Sequence, residues 1–255
     1  GFNLDSPNLA CPNLDSQERA PFRMTLHEDP RRFLLNLFEA AVRAVQPAAC
    51  LRKHLPAPPE GRLVILAAGK AAAAMAAEAE AFYEERWPGT EIEGIAITRY
   101  GHTVPTNHVA VHEAGHPFPD GAGENASRGM LSLANSLREE DLAVVLLSGG
   151  ASALLSLPPA GVKIEEKQKL TRALLATGAP IADINCVRRH LSCIKGGRLA
   201  EAIDPARSIT LAISDVAGND PSVIASGPTV PAHTTALDAL SIIERFRVPI
   251  ADPII

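Results

Sequence analysis

The apolar run Leu142 to Leu147, LAVVLL, is followed at once by Ser148, Gly149 and Gly150. It is too short to span a membrane, rich in Val and Leu, and free of polar alternation, which predicts a strand buried on both faces. Such strands lie inside parallel sheets. Ala151 to Leu157 is expected to turn into a helix, so Ser148, Gly149, Gly150 and Ser152 fall where a central strand meets a helix N-terminus. In an open α/β sheet, ligands bind outside the carboxyl ends of the strands, and a helix N-terminus offers unpaired N–H groups with partial positive charge. Glycine lets a backbone approach a phosphate. The stretch is equally compatible with a tight turn that binds nothing, because it matches neither the P-loop pattern nor G-x-G-x-x-G.

The rest of the chain alternates short apolar runs with helical periods. Gly1 to Pro30 has no apolar period and reads as a flexible leader or a remnant added in cloning. Phe33, Leu34, Leu37, Phe38, Ala41, Val42 and Val45 recur at three-and-four spacing, predicting an amphipathic helix that ends near Pro47. A proline-rich linker follows from Leu55. Strands are expected over Leu63–Ala67, Gly94–Thr98, Val109–His112 and Ser208–Ser214. Helices are expected from Ala71 to about Glu85, from Asp120 as N-cap to Leu137, over Ile164–Ala176, from Ile181, and over Thr234–Phe246.

Three features between these elements bear on chemistry. Lys70, after Ala68-Gly69, is expected in the first turn of a helix, where the dipole disfavours a cation; it is either a solvated lysine or one that meets an anion. Arg188, Arg189, His190, Lys195 and Arg198 form the most basic stretch of the chain, broken by Gly196-Gly197; it is either a solvated basic face or a second anion site with exposed backbone donors. Asp215 stands at the carboxyl end of the last strand, where Mg²⁺ is often held through one or two acids plus substrate phosphates, whereas Asp220 before Pro221 has the character of a turn former. His112, Glu113 and His116 spell H-E-x-x-H. Zinc chemistry with that pattern needs a helix, and here it follows a β-like run, contains Gly115 and is closed by Pro117.

With 255 residues and 46% hydrophobic content, the chain can bury one large core or two modest ones. A net charge of -5 argues against nucleic acid or an acidic membrane as partner of the whole surface. No signal peptide or long apolar segment is evident, which leads to the expectation of a cytoplasmic protein. The four cysteines show no C-x-x-C pair and are expected to be ordinary reduced thiols.

Taken in order, LAAGKAA, GHPFPDGAG, LLSGGASALL, EEKQKLTRALLATGA, DINCVRRHLSCIKGGRLA and SDVAGNDPSVIASGPT resemble the N-terminal domain of the glycerate 2-kinases of the MOFRL type, some relatives of which carry the label hydroxypyruvate reductase. The resemblance covers roughly Phe33 to Pro249. It implies transfer of the γ-phosphate of ATP to the 2-hydroxyl of D-glycerate, giving 2-phosphoglycerate, with Mg²⁺. Carried onto this sequence, it implies Lys70 as a catalytic lysine and Ser148, Gly149, Gly150 and Ser152 as the phosphate loop. It puts Arg188, Lys195 and Gly196 near the nucleotide phosphates or the substrate carboxylate, and makes Asp215 the Mg²⁺ ligand. Relatives commonly have two acids where this chain reads Asn219-Asp220, which leaves position 219 without a metal role.

The family also has a C-terminal MOFRL domain that the sequence ends before, so the expected organisation is a leader, 1–30, and one Rossmann-like domain, 31–255. The fold expected is an α/β/α sandwich around a mainly parallel sheet of at least five strands. Two other functions stay open: a nucleotide-binding fragment without turnover, and an NAD(P)H-dependent hydroxypyruvate reductase. Against the reductase, no strand is followed by G-x-G-x-x-G with an acid about 20 residues later.

Overall fold

The computed structural model describes residues 29–249; the expected leader falls almost wholly outside them, as do the last residues of the chain. Two compact units are distinguished, divided between Arg43 and Ala44. The first contains all but the last residue of α1 (Pro30–Ala44), an amphipathic helix with no buried residue. It starts at Asp29, whose carboxylate accepts from the amides of Arg31 and Arg32 at 3.0 and 3.2 Å, satisfying donors that a helix N-terminus leaves unpaired.

The second unit is built on a sheet of five parallel strands: β1 (Leu63–Ala68), β2 (Ile92–Arg99), β3 (Val109–Ala114), β4 (Leu142–Ser148) and β5 (Arg207–Ile213), in the order β3-β2-β1-β4-β5. Its helices are α2 (Pro47–Cys50), α3 (Ala72–Arg86), α4 (Gly121–Ala134), α5 (Ala151–Leu154), α6 (Ile164–Ala176), α7 (Ile181–His190), α8 (Arg198–Ile203) and α9 (Ala236–Arg245).

β1 and β4 are buried along their whole length, and their side chains divide by parity, as a pleated strand requires. Leu63, Ile65, Leu142, Val144 and Leu146 join one core with α3. Val64, Leu66, Val145 and Leu147 join the other, with α4 and α8. The result is three layers, α/β/α. The alanines of α3 allow close approach to the sheet: Ala72, Ala73, Ala76 and Ala79 have no exposed surface. A third cluster, including Leu170, Leu174, Ile184, Val187, Ile242 and Ile243, ties α6, α7 and α9 together.

Local chemistry sets several boundaries. Asp120 caps α4 by accepting from Gly123 N at 2.9 Å, and Thr235 with Asp238 forms a capping box at α9. The proline linker is not loose. Leu55 is buried, and the hydroxyl of Tyr83, itself wholly buried, donates to the carbonyl of Pro56 at 3.0 Å. Glu80 pins the entry to β3, its carboxylate accepting from the amides of Asn107, His108 and Val109.

Three expectations need correction. The helix after β4 is only Ala151–Leu154. Lys70 does not lie in a helical turn, because α3 begins at Ala72; the turn before it is held to the loop after β4 instead, through Lys70 N to the Gly149 carbonyl at 2.9 Å. β3 runs two residues past the expected end at His112, to Ala114, so H-E of the H-E-x-x-H pattern lies in a strand, as the β-like run before it implied.

Candidate functional site

The strand order reverses between β1 and β4: from β1 the chain proceeds outward to β2 and β3, from β4 to β5. At such a switch point the loops leaving adjacent strands diverge and open a crevice at their carboxyl ends. The loop after β1 is Gly69-Lys70-Ala71 and that after β4 is Gly149-Gly150. Gly69 has φ 128° and lies so close to Ser148 that a side chain there would overlap it. The Ser148 hydroxyl accepts from Ala71 N at 3.0 Å and Lys70 N donates to Gly149 O at 2.9 Å. The backbone of each loop thus holds the other. The Lys70 side chain is left exposed over the crevice.

Two further groups reach the same point. A Cβ on Gly150, which has φ 88°, would lie 2.9 Å from the His116 ring and 3.3 Å from Lys70 Cε. A Cβ on Gly149 would overlap the carboxylate of Asp215, which stands just past the end of β5. Lys70, Ser148, Gly149, Gly150 and Asp215, expected as site residues from sequence, are therefore brought together. Ser152 lies at the margin, its hydroxyl 2.7 Å from that of Ser226.

The family model described as "Domain of unknown function (DUF4147)" matches residues 33–254. The chain belongs to the DUF4147 family. A protein from Agrobacterium vitis, provisionally named a hydroxypyruvate reductase, is 45% identical over 231 residues, which cover 90% of this chain and 52% of that protein. The D-glycerate 2-kinase of Thermotoga maritima is 41% identical over 229 residues, 89% of this chain and 54% of that protein. Among solved structures, the crystal structure of the glycerate kinase from Thermotoga maritima aligns with TM-score 0.78 at 38% identity, covering 88% of this chain and 54% of the other. This DUF4147 chain spans about half the length of the relatives it matches.

The basic stretch of the DUF4147 chain is arranged differently from its sequence expectation. Lys195 has no exposed surface, and its ammonium donates to the Leu155 carbonyl. The Gly196-Gly197 donors are spent on structure: their amides bond the carbonyls of Ser226, at 3.2 Å, and Gly227, at 2.8 Å. The pair is glycine because both residues have positive φ, 63° and 90°, where a side chain is strained. Arg189 is buried and donates to Ser222 O at 2.9 Å. Arg188, half-buried, lines a cavity of about 230 Å³ together with Ser152, Ser156 and Lys167.

Two residues beside the glycine loop and the cavity are not marked by the sequence analysis as candidates for the site. His116 was weighed only as part of H-E-x-x-H; burial, then the fields of Lys70, Arg99 and Arg188, push its imidazole below the ordinary value. Lys167 looks like one more charge on an amphipathic helix, yet it sits in step with Ile164, Leu170 and Leu174, the buried residues of α6. That phase was the available signal. Burial first, then Arg188, pushes the Lys167 ammonium down to about 7. Cations thus dominate the site, and Asp215 is the acid that touches the glycine loop.

Proposed function

We propose that this chain is the phosphate-binding portion of a glycerate kinase that transfers the γ-phosphoryl group of ATP to the 2-hydroxyl of D-glycerate, giving ADP and 2-phosphoglycerate. The observation that carries the proposal is the convergence of Lys70, Gly149, Gly150 and Asp215 at the carboxyl ends of β1 and β4. Glycerate kinases among the chain's relatives support the substrate assignment.

In this reading the Gly149-Gly150 backbone receives the nucleotide phosphates, since a side chain at either position would meet Asp215, His116 or Lys70. Lys70 sits beside the transferred group. Its ammonium offsets the charge on the equatorial oxygens while the substrate oxygen bonds phosphorus and the bond to ADP breaks. Such chemistry needs positioning and charge more than a covalent nucleophile, which suits a site of glycines, cations and one acid. Mg²⁺ fits the donor set: Asp215 offers a carboxylate to an ion that takes one or two acids and is otherwise held by phosphates and water. When bound, the ion supplies further charge neutralisation at the phosphoryl oxygens. A cytoplasmic setting belongs to the same proposal, in keeping with the ATP requirement and the free thiols of Cys50, Cys186 and Cys193.

The test is an enolase-coupled assay of the chain with Mg-ATP and D-glycerate, omitting phosphoglycerate mutase so that only 2-phosphoglycerate gives signal. Signal supports the reaction and its regiochemistry together. Silence with a thermal shift by Mg-ATP limits the chain to nucleotide binding; silence without a shift overturns the kinase assignment. A reductase would instead consume nicotinamide absorbance with hydroxypyruvate. The turn after β1 holds Gly69 alone and lacks the glycine series that approaches a dinucleotide pyrophosphate.

A further inference from the structure

Lys167, Arg188 and Lys195 form a cluster of basic side chains inside the protein; burial and then Arg188 lower the Lys167 ammonium, and burial, Lys167 and Arg188 lower that of Lys195. Among the described residues no carboxylate bonds any of them. Among those residues the Lys167 ammonium has no hydrogen-bond partner, Arg188 reaches Asn185 Oδ1 at 3.4 Å, and Lys195 donates to a backbone carbonyl. Glu124, whose field also reaches Lys167, is bridged to Arg128 at 2.8 Å. The buried hydroxyl of Ser156 is likewise unpartnered. Burying cations without a counter-charge is costly, and so is leaving a polar group unsatisfied. Here the two lie in the wall of one cavity of about 230 Å³, with Arg188.

We infer that this cavity, between the 117–119 loop, α6 and α7, is the carboxylate subsite for the hydroxy acid, with Lys167, Arg188 and Ser156 as its ligands. The inference rests on the kinase assignment above and adds the substrate's orientation. Position supports it. Ser152 lines the cavity two residues after Gly150, and Pro117 lines it one residue after His116, whose ring covers Gly150. Cavity and glycine loop therefore share a wall. In a 2-hydroxy acid the carboxylate is one bond from the carbon bearing the hydroxyl, so an acid anchored in one compartment presents its hydroxyl to the other. Ile184, which is buried, gives the cavity an apolar wall, which strengthens a charge interaction beside it. A planar guanidinium also suits a carboxylate, which it binds through two bonds.

The experiment measures binding of D-glycerate and of glycerol, which lacks the carboxylate, to the chain by isothermal titration calorimetry, with Mg-ATP as a separate ligand. The wild-type chain is expected to bind D-glycerate and not glycerol. Lys167→Met should weaken D-glycerate binding about ten-fold or more, as loss of a charge-assisted bond does, and Lys167→Arg should recover part of it. Mg-ATP binding should be unchanged in both. Wild-type affinity for D-glycerate in a folded Lys167→Met chain would sink the subsite and leave the kinase assignment standing, as would absence of D-glycerate binding beside intact Mg-ATP binding. Loss of Mg-ATP binding by the wild type would instead strike the kinase assignment itself. Should Lys167→Met not fold, Ser156→Ala carries the same test, with a loss of several-fold expected.

Discussion

The carboxylate of Asp215 occupies the space that a side chain on Gly149 would need. One residue comes from the loop after β4 and the other from just past β5, so the contact exists only because those strands pair in parallel with Ser148 opposite Ile213. Gly149→Ala should displace the acid, lower stability by about 1 to 3 kcal/mol and abolish the Mg-dependent part of ATP binding. Thermal shift with and without Mg²⁺ reads both effects. The double variant Gly149→Ala with Asp215→Gly should regain most of the stability but not the Mg²⁺ dependence, a non-additivity expected of residues in contact.

Lys70 predicts the opposite pattern. Its backbone is bonded to Gly149 while its side chain is exposed, so Lys70→Ala should leave the melting temperature nearly unchanged, the cost staying within about 0.5 kcal/mol. Mg-ATP affinity should nonetheless fall about ten-fold, and any turnover in the coupled assay should vanish. Retained turnover would remove Lys70 from the mechanism.

The depressed Lys167 ammonium makes stability depend on pH. Its value in the fold is about 7 against an ordinary 10.5, so between those values the unfolded chain binds more protons and stability rises with pH. The groups that set it are Arg188, which lowers it further, and Cys193 and Glu124, which partly oppose. Lys167→Met should therefore be more stable than wild type at pH 6 to 7, with the gain shrinking towards pH 10. Urea melts across that range test the slope; a pH-independent difference would contradict the assignment.

Asp141 holds the foot of the sheet. It is 3% exposed and accepts from Arg62 N at 2.8 Å, Arg62 Nη2 at 2.9 Å and Arg138 N at 3.0 Å, joining the entries of β1 and β4. Burial pushes its carboxyl up, but these donors outweigh it and hold it below the ordinary 3.8. The stability it contributes is present above that value and is lost as pH falls below about 4. Asp141→Ala should cost about 1 to 3 kcal/mol, because the amides of Arg62 and Arg138 lose their acceptor while the Arg62 guanidinium keeps Glu93 at 3.2 Å. A thermal melt at neutral pH measures it.

Much of this was legible along the chain. Unbroken apolar runs identified β1 and β4, and acidic residues Glu165 and Glu166 in a first turn with Gly178 as a stop identified α6 over the very span Ile164–Ala176. Lys70, Gly149, Gly150 and Asp215 could each be marked because they directly follow strands. The surroundings of Lys195 and Gly196 were not legible, because nothing local reveals that Lys195 is enclosed or that the amides of Gly196 and Gly197 are bonded to the 226–227 segment.

Hydrophobic periodicity and strand-end chemistry, both local, determine from sequence alone that this is a parallel α/β protein with glycine-bearing loops at its strand ends. Which loops meet is a matter of strand order, and β3-β2-β1-β4-β5 arises from long-range packing of both sheet faces. That order sets Lys70 against Gly149, Asp215 against the same glycine and His116 over Gly150. Only the tertiary structure reveals that Lys167 is buried without a partner, because the cost of an uncompensated charge depends on what surrounds it in space, and its neighbours come from distant parts of the chain.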